Sequence, residues 1–166
     1  MKKTLFFENA KMLTHSLGIV PVMYGSLGLE YITEENLFAD DIDILIPEIF
    51  LNEKWQCFKK FLENNGYTLV DEHEHTFEKN GISVSYASAE ELETFAGISL
   101  FDIAVHIKDG VKFKVLSPEQ YLKVYNASSK DGYRINVRKK KDNEKIDFIK
   151  NILKKEKKDD SKRFFV

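Results

Sequence analysis

One cysteine, Cys57, is all the thiol that this 166-residue chain carries. An internal disulfide is therefore excluded, and a reducing compartment such as the cytoplasm fits. Cys57 sits in an amphipathic pattern beside Trp55 and Phe58, where it reads as a small core residue. No apolar run is long enough to span a bilayer, so no membrane role is expected. The start, Met1-Lys2-Lys3 before Thr4-Leu5-Phe6-Phe7-Glu8, has too short an apolar stretch for a secretory signal. Internal repeats and low-complexity linkers are missing, so no firm domain boundary is expected. The chain is also too short for a (β/α)₈ barrel, which takes about 250 residues.

Charge is present in both signs but unevenly spread. The net charge is −2, yet from Arg134 to Arg163 thirteen Lys and Arg stand against six Asp and Glu. This basic part suits phosphate groups, while the acidic remainder holds the most informative motif. The mixed signs of Lys154-Lys155-Glu156-Lys157-Lys158-Asp159-Asp160 read as a solvated helix end and do not call for a nucleic-acid partner.

That motif begins where Gly25-Ser26 closes the apolar run Val20-Pro21-Val22-Met23-Tyr24. A turn of small residues lets backbone N–H groups approach a phosphate. One segment later comes Asp41-Ile42-Asp43-Ile44-Leu45-Ile46. Carboxylates at i and i+2 of a strand share a face. Two acids this close resist burial without a cation or water, and they interrupt what is otherwise a buried strand. They suit a magnesium ion, which takes few protein carboxylates and fills its shell with phosphate oxygens and water. The residues alone also allow a plain turn and an incidental Asp-x-Asp on an unrelated α/β domain.

Apolar periodicity predicts a helix over 4–17, ended by Gly18, and a strand over 20–24. A short helical or irregular stretch to Phe38 and a central strand over 41–46 follow, then a helix over about 53–63. Short strands are predicted over 67–70, 75–78 and 82–86, with Asn80-Gly81 as a hairpin turn. A short helix over 89–95 and a hairpin pairing 101–107 with 111–115 come next. Ser117-Pro118-Glu119-Gln120 is a helix start, and a last helix is predicted over about 140–154. The fold class is therefore α/β (α+β), with helices around a mixed sheet: an α/β core over 1–116 and a helical extension over 117–166, packed as one unit.

Other residues carry weaker signals. His73-Glu74-His75 looks like a metal cluster, but both imidazoles fall on a strand face with Phe77; only His75 is kept, as a candidate base. His15 and His106 read as structural. Tyr24 suits either core packing or stacking on a base. Tyr133-Arg134 reads as a loop anchor.

Gly25-Ser26, a spacer and Asp41-Ile42-Asp43 after a helix–strand unit resemble the signature of the nucleotidyltransferase superfamily with the DNA polymerase beta-like fold. The small bacterial antibiotic-modifying and minimal members are the nearer likeness. Leu116-Ser117-Pro118-Glu119-Gln120-Tyr121-Leu122-Lys123 is similar to the helix that follows their sheet, and Arg138 with Lys141-Asp142 resembles their last-helix pattern. The resemblance implies a magnesium-dependent transfer of a nucleoside monophosphate from a triphosphate, ATP first among them, to an acceptor hydroxyl of a small molecule or protein. Gly25 and Ser26 would hold phosphate oxygens, and Asp41 and Asp43 would coordinate Mg2+. Lys123, Arg134 or Arg138 would neutralise the pyrophosphate, with Lys123 best placed by motif. The family's third carboxylate is missing: Ser83 or Ser85 stands where it belongs, and Lys145 stands where the last helix usually has an acid. Glu78, His75 or Asp102 is then a candidate substitute. The alternative is an inactive, nucleotide- or protein-binding relative, as one half of a two-protein system; for either reading the partners allowed are a second copy of the chain or another protein.

Overall fold

The computed structural model describes residues 1–130 and 139–164. Its centre is a seven-stranded mixed sheet in the order β3-β4-β5-β2-β1-β7-β6. The strands are β1 (Val22–Tyr24), β2 (Ile42–Ile46), β3 (Thr68–Asp71), β4 (Thr76–Lys79), β5 (Ile82–Ser88), β6 (Val105–Lys108) and β7 (Val111–Val115). β1 runs antiparallel to β2 and parallel to β7, and β2 runs parallel to β5. The mixed α/β class expected from the sequence is the one observed.

Alternation along the strands gives the sheet two unlike faces. One carries Met23, Ile42, Ile44, Ile46, Phe77, Val84, Tyr86 and Phe113, all buried. It is covered by α1 (Lys2–Leu17) and α3 (Trp55–Asn64). Phe6 of α1 meets Phe113 edge-on at 5.8 Å, and Phe58 of α3 meets Tyr86 at 5.2 Å. Within this apolar layer, the amide of Asn9 donates to the hydroxyls of both Tyr67 and Tyr86, at 2.8 and 2.6 Å. The core thus has a polar tie between α1 and the sheet, which fixes orientation as well as area.

The other face carries Val22, Tyr24, Asp43, Leu45, Ser83, Ser85, Lys112 and Lys114, as the registers require. Towards it lie α4 (Glu91–Ala96), α5 (Pro118–Lys130) and α6 (Lys139–Phe164), with α5 packed on α2 (Gly25–Thr33), α4 and α6, while Tyr31 of α2 meets Phe113 of the first face at 5.4 Å. The start of α5 is a reciprocal capping box. Gln120 N–H donates to Ser117 Oγ at 3.2 Å, and Ser117 N–H donates to Gln120 Oε1 at 2.9 Å. Buried Asp142 accepts from Ser128 Oγ at 2.8 Å, which pins α6 to α5.

Several local expectations shift. The expected first strand over 20–24 is regular only at Val22–Tyr24, and the last helix runs longer than expected, Lys139–Phe164. Phe101 belongs to a 3-10 turn, Leu100–Asp102, rather than to a strand. Cys57 is exposed, not a core residue. Trp55, Phe58 and Leu62 take the inward positions of α3, and two residues past Trp55 is about 200° round the helix. Among the described residues, no helix is long and apolar enough to cross a membrane.

Candidate active site at the Gly25–Asp43 junction

β1 hands directly to α2, and the junction residue Gly25 has φ 63°. Only glycine takes that conformation without strain. A Cβ on Gly25 would also collide with the Asp43 carboxylate, so the acid lies directly over the glycine backbone. The register explains this: Tyr24 stands opposite Asp43 across β1 and β2, which brings Asp43 to the mouth of the Gly25-Ser26 turn. Tyr24, the N-cap residue of α2, does not cap the helix with its own side chain. The first N–H groups of α2 and its dipole favour an anion there.

Asp41 is half-buried in the bend that leads into β2. The parallel register pairs Ile42 with Val84 and Asp43 with Ser85, so extending it by one residue sets Asp41 beside Ser83. Buried Glu30 of α2 braces the approach. Its Oε1 accepts the N–H of Leu37 at 3.0 Å and of Ala39 at 2.9 Å, just before Asp41. The turn and the acids are thus held by one helix, with Ser26 in its first turn and Glu30 one turn later.

Lys145 of α6 completes the cluster. Its Nζ donates to Ser26 Oγ at 3.0 Å and lies 5.1 Å from the ring centre of Tyr125. Tyr125 stacks on Tyr121 at 6.0 Å, and Tyr121 stacks on Tyr24 at 6.4 Å. The Tyr121 hydroxyl donates to the Gly25 carbonyl at 3.0 Å. Burial holds this phenol protonated, well above its ordinary pKa, and the neighbouring Tyr125, Tyr24 and Asp43 push the same way. It stays a donor and keeps the turn in place. Tyr24 itself is half-buried in this stack.

The sequence candidates separate on this geometry. Gly25, Ser26 and Asp43 are brought together, with Asp41 two residues away along the same segment. His75 is not with them. Its ring meets Trp55 edge-on at 4.6 Å, on the face where Trp55 also meets Phe77. That face is turned away from Asp43, and burial there lowers the imidazole pKa. Lys123 is exposed on α5, because Tyr121, Val124, Tyr125 and Ser128 take the inward positions. Arg134 and Arg138 lie outside the described residues. Ser85 is next to Asp43 across β2 and β5, with its Oγ 2.8 Å from Thr76 Oγ1. Glu78 pairs with Ser83 one strand further out and is exposed. Asp102 is exposed in the turn before β6, where its carbonyl accepts from Gln120 Nε2 at 2.9 Å.

Sequence reasoning marked Lys145 only as a departure from a pattern and missed Tyr121, Tyr125 and Glu30. Lys145 is adjacent to inward Ile146, a signal of a helix position at the edge of a buried stripe. Two carboxylates and an anion-favouring turn are a donor set that fits magnesium with a polyphosphate. No group of three or more His, Cys, Asp or Glu able to hold a metal is gathered among the described residues.

No family model matches the chain. Its fold is similar to that of a crystal structure titled an antigenic nucleotidyltransferase-like protein from Paracoccidioides brasiliensis. The TM-score is 0.59 at 19% identity, covering 89% of this chain and 74% of that one. The sequence is similar to the uncharacterized protein YnaI of Bacillus subtilis (strain 168), 39% identical over 149 residues, which is 90% of this chain and 96% of that protein. At that identity and over nearly the full length of both, the chain belongs to the family of Bacillus subtilis YnaI, and it has a nucleotidyltransferase-like fold.

Proposed function

We propose that the protein is a magnesium-dependent nucleotidyltransferase that binds a nucleoside triphosphate at the Gly25–Asp43 junction. The observation that carries this reading is the Asp43 carboxylate lying over Gly25 at the start of α2, with Lys145 on Ser26. The N–H groups of the turn and the Lys145 ammonium would hold the phosphate oxygens. Asp41 and Asp43 would hold Mg2+, which when bound neutralises the charge that develops on the transferring phosphoryl group. The acceptor hydroxyl oxygen would attack the α-phosphorus and lose its proton to solvent water, while the bond to the bridging oxygen breaks and pyrophosphate leaves. Lys145 would offset the charge of the leaving group, the role that the resemblance assigns to Lys123.

A second reading is nucleotide binding without transfer. It is favoured by Ser85, a neutral hydroxyl engaged with Thr76 beside Asp43, where a third carboxylate would share the metal and receive the acceptor proton. A general base is worth about 10² to 10⁴ in rate. Transfer is therefore expected to be slow on generic acceptors. Incubation with ATP labelled at the α-phosphate separates the two readings. Label transferred to an acceptor, with pyrophosphate released, supports the enzyme. Binding without release, together with release created by Ser85→Asp, supports the second reading. Absence of nucleotide binding would remove both.

A further inference from the structure

The face of the sheet that carries Asp43 continues into a separate cavity of about 390 Å³. Its floor is one row across four strands. Leu45 stands opposite Val22, Val22 beside Lys114, and Lys114 opposite Val105. Leu100 forms part of the wall and is fastened by Lys114, whose Nζ donates to the Leu100 carbonyl at 3.0 Å. Lys112 is two residues from Lys114 on the same strand face, exposed at the mouth.

Two features of this cavity are out of balance. Its floor and walls are mainly apolar, yet they are open enough that Val105 is 53% exposed. Two like charges share one strand face beside it, and neither lysine has a carboxylate partner among the described residues. Water tolerates the first feature poorly, and like-charge repulsion opposes the second. One ligand relieves both: an apolar body laid on Leu45 and Val22 and an anionic head between the two ammonium groups. The volume is in the lower part of the range for small-molecule sites.

We propose that this cavity binds an amphiphilic carboxylate of medium chain length. The site is distinct from the Gly25 turn, and its occupation needs neither nucleotide nor magnesium. The apolar part sets affinity through area, so each added methylene strengthens binding about fourfold until the cavity is full. The lysines set charge selectivity, since a cation of the same length would meet like charge.

The test is calorimetric titration of the full chain, without nucleotide, with hexanoate, octanoate, octanol and octylammonium. The expected result is saturable binding of octanoate, tighter than hexanoate and octanol, and none of octylammonium. Lys112→Glu alters an exposed side chain and should weaken octanoate at least tenfold, with unchanged thermal unfolding. Val105→Trp, at the rim, should block the cavity to a similar degree. The proposal is overturned if octanoate does not saturate, if octylammonium binds as tightly, or if both variants bind octanoate as the parent does.

Discussion

Lys145 Nζ donates to Ser26 Oγ at 3.0 Å, across 119 residues of sequence. This bond ties the last helix to the turn that opens α2 and brings the chain's basic end to its acidic motif. The same ammonium lies over Tyr125, which continues the stack of Tyr121 and Tyr24 back to Gly25. Hydrogen bonds to charged groups contribute about 1.5–3 kcal/mol, so Lys145→Met should weaken ATP binding about 10- to 100-fold. Lys123→Met, on the exposed side of α5, should leave it within about twofold. Parallel titrations of the two variants check which lysine serves the phosphates.

Gly25 and Gly110 both have positive φ, 63° and 78°, but only Gly25 has the Asp43 carboxylate where a Cβ would go. Gly110→Ala should cost only the left-handed strain of about 1–2 kcal/mol. Gly25→Ala should cost more, because Asp43 must also move, and it alone should reduce nucleotide binding. Urea unfolding of both variants, with one binding titration each, makes the comparison.

Glu30→Gln keeps the shape of the brace but weakens both hydrogen bonds from Leu37 and Ala39. The expected loss is about 1–3 kcal/mol of stability. Because these bonds end one residue before Asp40-Asp41, magnesium-dependent nucleotide affinity should fall with it. Glu34→Gln, at an exposed helix end, serves as the control and should change neither.

Much of this site was legible in the sequence because it is local. Gly25-Ser26 and Asp41-x-Asp43 lie within one strand–helix–strand unit, where turn chemistry and strand parity place side chains directly. The mixed sheet followed from periodicity and turn signals in the same way. Glu30 and Lys145 were not legible, since their roles come from tertiary contact and their sequence neighbourhoods are ordinary helix. His75 was not legible from parity: it precedes β4 with φ 52°, and its ring meets Trp55 on the apolar face through a tertiary contact. Cys57 shows an apolar neighbourhood mistaken for an inward position.

His75 also gives a pH dependence. Burial lowers its folded-state pKa below the ordinary histidine value of 6.5. As pH falls below that value, the unfolded chain takes up the proton first, so stability declines until the folded-state pKa is passed. Above 6.5 the group adds no slope. His75→Gln should remove this part of the decline, which thermal unfolding of both proteins from pH 7.5 down to about 5 would register.

The claim at the centre of this account is that Asp41 and Asp43 hold magnesium for a triphosphate seated on the Gly25-Ser26 turn. Calorimetric titration with ATP, with and without magnesium, tests it most directly when the parent is compared with Asp43→Asn. The account predicts saturable binding that falls at least tenfold without magnesium and is weak in Asp43→Asn under either condition. Equal affinity with and without magnesium, or an Asp43→Asn variant that still responds to magnesium as the parent does, would contradict it.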